Sequence, residues 1–271
     1  MSDELDGKHG VQSLEVGMSI LRAMVTGKRS MMLKDIAQAA DMPPSKAHRY
    51  LVSLIRSGLV EQDRLTSRYD LGPFALNLGL VALDRVDRIR LGLTAISELR
   101  DITNETVALA VWSDRGPVVV RWERPRRPIT VNVLTGTSLS LLSSAAGRVF
   151  AAWLPEHQTE ALLHSEIGSG KVPAGIATMD DARRLLAAVR AQGLSVISSG
   201  YFARGVEAAA APVFNFKNEI NMSIALVGVE GTLDLAAGSP ALVALKDACD
   251  ALSLRLGATA IPGAAPSDGA I

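Results

Sequence analysis

The first side chains with clear binding chemistry are cationic and polar, and they lie between residues 45 and 68. The set consists of Ser45, Lys46, His48, Arg49, Ser53, Arg56, Arg64 and Arg68. Cationic side chains bind phosphate oxygens, and arginine can also bind the edge of a guanine base. Residues 22–72 include nine basic and five acidic residues, although the whole chain has 28 of each. If the fold places these cations on one face, they form a nucleic-acid-binding surface.

Three short helices must position the first six of these residues. The first helix is predicted from apolar residues at helical spacing, namely Leu14, Met18, Leu21 and Val25. This assignment leaves Met24 off the buried face, as a candidate contact between subunits. A second helix follows around Ile36. After two prolines, Ser45 is placed to cap a third helix, which ends at Gly58.

A hairpin must position the last two cations. Residues 59–62 and 67–71 read as strands, joined by a turn at 63–66. Helix-turn-helix followed by such a wing places a short polar helix where it can enter the major groove, about 12 Å wide. Arg64 and Arg68 of the wing would contact phosphates. The alternative is a three-helix bundle with a solvated, charged surface that binds no nucleic acid.

The remaining sequence predicts an α+β domain. Helices are predicted at 74–86, 89–103, 143–153, 178–193 and 239–257, and strands at 106–112, 117–122, 129–133, 194–198, 206–213 and 220–227. The helix at 74–86 is apolar enough to be buried. A polar break at 84–88 separates it from the next helix and marks the domain boundary.

No group of residues in this domain has the spacing of a catalytic or metal site. His157 and His164 are seven residues apart, and no cysteine or further histidine stands at ligand spacing beside them. Cys249 falls on the apolar face of the last helix and reads as a core residue. We therefore expect no enzyme, no metal and no cofactor.

Composition excludes other classes of protein. The chain of 271 residues is 48% hydrophobic and 21% charged, as in ordinary globular proteins, and no apolar run is long enough to span a membrane. A single cysteine excludes an internal disulfide. The polar, acidic start is unlike a secretory signal. We expect a cytoplasmic protein that does not associate with membranes.

Six segments, in order along the chain, carry a family resemblance. They are VQSL (11–14), LKDIA (33–37), MPPSKAHRYL (42–51), YDLG (69–72), LSSAAGR (142–148) and AAPV (210–213). Together they resemble the IclR family of bacterial transcriptional regulators over residues 11–257.

The resemblance implies both an architecture and partners. It implies a winged helix-turn-helix DNA-binding domain at 11–73, a linker helix at 74–88 and a GAF-like α+β effector-binding domain at 89–257. Residues 258–271 would be a flexible tail. It also implies a homodimer or homotetramer that binds a palindromic operator in double-stranded DNA and responds to a small organic effector.

Effector-binding positions follow from the same resemblance. Ser144 and Ala145 stand where family members hold an effector carboxylate, unless the small residues there serve only close packing. The other matching positions are Ser198, Val206, Ala208, Ala225 and Val227, and Tyr201 could add a ring or hydroxyl. Carboxylate-binding members have an acidic residue, a cysteine and two serines at some of these positions. Their replacement by apolar residues here indicates an aromatic or otherwise hydrophobic effector.

These observations predict a ligand-responsive, sequence-specific DNA-binding regulator, and a repressor rather than an activator. Two alternatives belong to other classes. One is a small-molecule sensor or adaptor that does not bind DNA. The other is an enzyme with a regulatory domain, for which the sequence offers no catalytic group.

Overall fold

A computed structural model describes residues 10–27, 29–126, 135–198 and 205–259. The chain divides into two compact units between Val86 and Asp87. In the part of the chain that is described, no helix is both long and apolar enough to cross a membrane.

The first unit is a helix-turn-helix with a wing. Its elements are α1 (Gln12–Thr26), α2 (Leu33–Ala39), α3 (Pro44–Arg56), β1 (Val60–Gln62), β2 (Tyr69–Leu71) and α4 (Pro73–Arg85). The two strands pair antiparallel, and an isolated bridge joins Met31 to Tyr69. Ile20, Ile36 and Leu51 form the centre of the core. Gly58 ends the α3 segment at a φ of +73°, as predicted, because glycine adopts this left-handed conformation without strain.

The buried face predicted for α1 is wrong. Met24 lies in the core with 7% of its surface exposed, beside Ile20, whereas Leu14 is 65% and Val25 58% exposed. The helix carries apolar side chains on more than one face, so helical spacing alone cannot identify the face that packs inward. Met24 is therefore not available as a subunit contact. The exposed apolar residues of α1, such as Leu14 and Val25, become the candidates instead.

The predicted cap of α3 is also wrong. Pro43 occupies the cap position, Pro44 is the first helical residue, and no side chain makes a capping hydrogen bond. Proline is suited to the first helical position because its φ is already helical and it has no N–H to satisfy there. Ser45 therefore lies in the first turn with its side chain exposed.

Helix α4 matches the predicted position but is not buried in the single chain. Its exposed large apolar side chains are Phe74, Leu76, Leu78, Leu80 and Val81. Hydrophobicity predicts that such a helix is covered, but it cannot tell whether the cover comes from the same chain.

The second unit is the predicted α+β domain. Its helices are α5 (Arg88–Thr103), α6 (Ala145–Trp153), α7 (Glu156–Gly168), α8 (Met179–Gln192) and α9 (Pro240–Arg255). Its strands are β3 (Thr106–Ser113), β4 (Gly116–Glu123), β5 (Ser195–Ile197), β6 (Val206–Phe214) and β7 (Ile220–Val229). They form an antiparallel sheet in the order β4-β3-β7-β6-β5.

Helices cover both faces of this sheet. On one face, Gly92 of α5 lies against Leu109, and the Cys249 thiol of α9 lies 3.8 Å from the carbonyl oxygen of Ala211. On the other face, α6 packs against alternate residues of the same strands, such as Ala110 and Ala210. The site described below lies on the α6 face.

Two details of the second unit differ from the prediction or lie outside it. Helix α7 was not predicted, because its apolar residues do not form one continuous stripe. The strand predicted at 129–133 falls outside the described residues. The helices predicted to begin at 178 and 239 are confirmed, with Thr178 and Ser239 as their caps, the first in a capping box closed by Asp181.

Candidate functional site

The cationic residues predicted on α3 share its solvent face. Ser45, His48, Arg49, Ser53 and Arg56 are exposed and Lys46 is partly exposed. The opposite face carries Ala47 and Leu51, which are buried in the core of the first unit. The apolar side thus anchors the helix, and the polar side is free to enter a groove of DNA.

Within the described residues, the cations of this surface are not neutralised by carboxylates. Among the described residues, no carboxylate lies within ion-pair distance of Lys46, Arg49, Arg56 or Arg64. Arg68 donates a hydrogen bond from Nη1 to the neutral carbonyl oxygen of Ser30, 3.1 Å away, and also has no carboxylate partner in the described part of the chain. Unpaired cations on one surface attract the phosphates of DNA.

The wing turn is held rigid by Asp63. Its carboxylate accepts hydrogen bonds from the N–H groups of Leu65, at 2.7 Å, and Thr66, at 3.2 Å. These backbone donors hold the pKa of Asp63 below its usual value, because hydrogen bonds from N–H groups favour the ionised carboxylate. The turn presents Arg64 to solvent next to Leu65, which is 96% exposed.

Replacing Arg64 with alanine should weaken binding to operator and to random-sequence duplexes by similar factors. An arginine that contacts phosphate releases about one counterion. Its loss should therefore make the negative slope of log affinity against log salt less steep by about 1. Fluorescence anisotropy across a salt series measures both effects, with Arg22→Ala on the exposed side of α1 as the matched loss of charge. A loss confined to the operator would contradict a phosphate-binding role.

In the second unit, a cavity lies between the sheet and the N-terminal end of α6. It encloses about 610 Å³, its open mouth included. It is lined by Ala108, Ala110, Val119, Trp122, Leu139, Ser143, Ser144, Ala145, Ala146, Ile197, Val206, Ala208, Ala225 and Val227. A concave, mostly apolar lining with a few polar groups is typical of sites for small organic ligands.

Alanines form the floor of this cavity. Ala108 of β3 pairs directly with Ala225 of β7, and Ala208 of β6 lies one strand further along, opposite Val227. Residues paired across neighbouring strands point to the same face of a sheet. Because alanine side chains are short, they leave an apolar space between the sheet and α6.

The polar end of the cavity is the start of α6. The Ser144 hydroxyl caps the helix, accepting from the N–H of Gly147 at 2.9 Å and donating to the carbonyl oxygen of Ser140 at 2.7 Å. It is therefore already engaged. The N–H groups of Ala145 and Ala146, in the first turn, have no hydrogen-bond partner within the described ranges. Free N–H groups at a helix N-terminus favour an anion or another acceptor.

Glu166 of α7 fixes the loop that leads into α6. Its carboxylate accepts hydrogen bonds from the Ser140 hydroxyl (2.8 Å) and from the N–H groups of Leu141 (2.6 Å) and Leu142 (3.0 Å). Close packing matters as well, since a Cβ on Gly147 would lie 1.9 Å from the carbonyl oxygen of Ser140. The small residues here thus serve packing and border the cavity at the same time.

Arg148 supports the same loop from inside the domain. Its Nε donates to the carbonyl oxygen of Leu142 at 2.7 Å, and burial lowers the pKa of its guanidinium below the usual value. Even so, arginine stays protonated at physiological pH. Arg148 does not line the cavity.

Six of the eight residues predicted to bind the effector line this cavity. They are Ser144, Ala145, Val206, Ala208, Ala225 and Val227. Ser198 does not, because β5 ends at Ile197, which points inward, and the next side chain is exposed. Tyr201 lies outside the described residues.

Sequence reasoning missed Trp122 and Glu166. Trp122 alternates inward from the predicted strand at 117–122, so strand periodicity could have placed it on the α6 face. Nothing in the sequence could have placed Glu166 near the loop, because helix α7 itself was not predicted.

The residues considered for catalysis are not brought together. His157 and His164 are both exposed on α7. Cys249 is buried, and burial raises the pKa of its thiol. Within the described ranges, no group of three or more His, Cys, Asp or Glu residues could hold a metal ion.

Two family models match the chain, one chiefly over each compact unit. The family model described as the IclR helix-turn-helix domain matches residues 13–64. The model described as the bacterial transcriptional regulator IclR C-terminal domain matches residues 81–254. The first range contains α3 and the turn of the wing up to Arg64, and the second contains the whole cavity.

Three known proteins are similar over most of the chain. The glycerol operon regulatory protein of Streptomyces coelicolor is 29% identical over 257 residues, 92% of this chain and 97% of the relative. The transcriptional repressor IclR of Escherichia coli is 26% identical over 80% of each chain. The crystal structure of Pseudomonas aeruginosa HmgR superposes with a TM-score of 0.81 at 38% identity, covering 92% of this chain and 99% of that one.

Proposed function

The chain belongs to the IclR family of DNA-binding transcriptional regulators, and we propose that an apolar organic acid controls its affinity for a palindromic operator. The observation that carries this proposal is the cavity, which has an apolar body and free N–H donors at one end. Family membership favours DNA binding over a sensor or adaptor that does not bind DNA.

On the DNA side, α3 is the recognition helix. Arg49 and Lys46 lie on its solvent face and are within reach of base edges once the helix enters the major groove. Ser45, His48, Ser53 and Arg56 on the same face add polar contacts, and Arg64 and Arg68 of the wing bind phosphates.

The lining of the cavity defines the chemistry of the effector. Apart from Ser143 and Ser144, its walls are alanine, valine, leucine, isoleucine and tryptophan, so the ligand has a ring or alkyl body and about 10 or more heavy atoms in all. The N–H groups of Ala145 and Ala146 are donors only, so the head must accept hydrogen bonds. A carboxylate fits best, because the positive end of the helix dipole also favours it.

We further propose that the chain forms a homodimer or homotetramer. An exposed apolar stripe on α1, formed by Val11, Leu14, Met18 and Val25, and the exposed apolar side chains of α4 are unlike an ordinary surface. Two-fold pairing also doubles the length of DNA that one short recognition helix can read. Repression follows if the dimer occupies an operator that overlaps a promoter.

Light scattering should therefore give a mass at least twice that of one chain. The exposed stripes would be covered in the oligomer, so Leu14→Glu together with Leu78→Glu should lower the measured mass. Substitution of the polar α1 residue Glu15 with glutamine is the control that leaves the mass unchanged. A single-chain mass for the unsubstituted protein, both free and on DNA, would reject the proposal.

The function itself is tested by DNA binding with and without acids. At a fixed salt concentration, anisotropy titrations should show that the protein binds the DNA upstream of its own gene more tightly than a random-sequence duplex. Apolar acids should change that affinity about 5- to 150-fold, the usual range of coupling between two sites. If selection from a library of random duplexes yields no sequence that the protein binds more tightly than the others, sequence-specific DNA binding is rejected.

A further inference from the structure

The most exposed large apolar side chain in the described part of the chain lies at the tip of the wing. Leu65 has 96% of its surface exposed, whereas Ile102, the next most exposed, has 72%. Leu65 also makes no part of the apolar core of its own unit. A lone exposed leucine is common on protein surfaces, so its surroundings determine whether it has a role.

Hydrogen bonds on all sides fix the backbone from which Leu65 projects. The Asp63 carboxylate accepts from the N–H of Leu65 at 2.7 Å, and the Asp63 carbonyl oxygen accepts from the N–H of Ser67 at 2.8 Å. The N–H of Asp63 donates to the carbonyl oxygen of Arg68 at 2.9 Å and closes the turn. Because this backbone is already ordered, little conformational entropy is lost when the tip of the wing binds a partner.

The charges around Leu65 favour DNA as that partner. Arg64 precedes Leu65 in the turn, and no carboxylate among the described residues lies within ion-pair distance of it. The carboxylate of Asp63 is occupied by the N–H groups of Leu65 and Thr66. Proteins that bind the minor groove combine such a cation with an apolar side chain, often leucine, that enters between two base pairs.

The hairpin has the length needed to reach the minor groove next to α3. It starts at Val60, shortly after α3 ends at Arg56, and both elements belong to the same compact unit. At about 3.3 Å per residue, the path from Val60 to Leu65 spans about 16 Å. Along the duplex axis, the centre of a minor groove lies half a helical turn, about 17 Å, from the centre of the neighbouring major groove. With α3 in the major groove, Leu65 is therefore within reach of the minor groove beside it.

We propose that Leu65 inserts into the minor groove beside the recognition helix and partly unstacks one base step, which bends the operator. This inference rests on the function proposed above, in which α3 enters the major groove. Insertion removes a leucine from water, and this gain offsets the cost of unstacking. Pyrimidine–purine steps such as TA unstack at the least cost, so the protein should prefer such a step at the point of insertion.

The substitution Leu65→Ala removes most of the apolar surface that insertion would bury. It should lower the affinity of the full chain for the operator found in the DNA-binding test above by about 10-fold. No charge is lost, so the slope of log affinity against log salt should stay the same, unlike that of Arg64→Ala. Leu65→Met keeps a long apolar side chain and is the matched control, which should retain most of the affinity.

A second measurement detects the unstacking itself. The fluorescent adenine analogue 2-aminopurine becomes brighter when it loses a stacking neighbour. It replaces adenine at successive positions of the operator, and each duplex is saturated with protein so that differences in affinity do not matter. The unsubstituted protein and Leu65→Met should brighten one position in each half-site, about half a helical turn from the centre of the major-groove contacts. Leu65→Ala should leave that position dark.

The fluorescence pattern decides between insertion and its alternatives. Brightening that is lost in Leu65→Ala and kept in Leu65→Met supports insertion. If Leu65→Ala keeps the brightening, or if no position brightens although the unsubstituted protein binds its operator specifically, insertion is overturned and the DNA-binding function stands. If Leu65→Ala instead lowers the mass measured by light scattering, Leu65 contacts a second copy of the chain and insertion is again overturned. If the protein prefers no DNA sequence, insertion is overturned together with the proposed function.

Discussion

Replacing Ala225 with aspartate should abolish the binding of apolar acids. Ala225 is 5% exposed, in a central strand of the sheet, and its neighbours across the strands are Ala108 and Ala210. A carboxylate at this position has no partner in the row, and burying an unpaired charge costs several kcal/mol. It also repels an acidic ligand. The expected loss of affinity for a probe such as benzoate or phenylacetate exceeds about 100-fold by calorimetry.

Two controls separate lost binding from lost folding. Ala225→Ser adds one small hydroxyl and should retain most of the affinity. Operator affinity of Ala225→Asp in the absence of acid should equal that of the unsubstituted protein, because α3 and the wing belong to the other compact unit. If Ala225→Asp binds the acid as tightly as the parent, the effector site lies elsewhere.

Replacing Arg49 with alanine should weaken operator binding by about 1–3 kcal/mol, or roughly 5- to 150-fold, if the guanidinium reads a base. Arg49 is exposed on the solvent face of α3 and, within the described residues, is not held by a carboxylate. The effect should be small on a random duplex. Anisotropy at one fixed salt concentration, with both DNA types, measures the difference.

The conservative variant Arg49→Lys shows whether the contact is to a base or to phosphate. Lysine keeps the charge but lacks the planar fork that binds two acceptors of one base. A base-reading role predicts that Arg49→Lys loses specificity nearly as much as Arg49→Ala while keeping affinity for a random duplex. Full operator affinity in both variants would show that α3 is not the recognition helix.

The sequence was most informative where local chemistry determines structure. Gly58, the capping box at Thr178 and the cap at Ser239 each satisfy backbone groups within a few residues, so short patterns locate them. The cationic face of α3 followed for a related reason, since the apolar residues of a short helix leave its polar residues on one side.

Features that depend on distant contacts could not be predicted. The inward face of α1 depends on how α2 and α3 pack against it, and α1 has apolar residues on both sides. Whether α4 is buried depends on which other segments pack against it, and the sequence of the helix alone does not reveal them. Helix α7 lacks a continuous apolar stripe, so Glu166, which anchors the cavity loop from α7, was beyond reach as well.

The cavity was predicted in outline and not in detail. Family resemblance assigned Ala208, Ala225 and Val227 to the effector site, and all three line the cavity. The end of β5 at Ile197, one residue before Ser198, depends on pairing with β6 and is not written in the local sequence. The buried indole N–H of Trp122, which has no partner among the described residues, becomes visible only when all neighbouring atoms are known.

The alanine floor also bears on how regulators of this kind change what they sense. Exchange of a floor alanine for glycine, serine or valine would alter the shape of the cavity by one or two small groups, and we expect the strand register, which backbone hydrogen bonds define, to be retained. The residues proposed to read DNA lie in the other unit and are unaltered by such substitutions. If the cavity binds the effector as proposed, a few point substitutions would give the regulator a new effector while it keeps its operator, and Ala108, Ala208 and Ala225 are the positions at which to begin a laboratory selection for new biosensors.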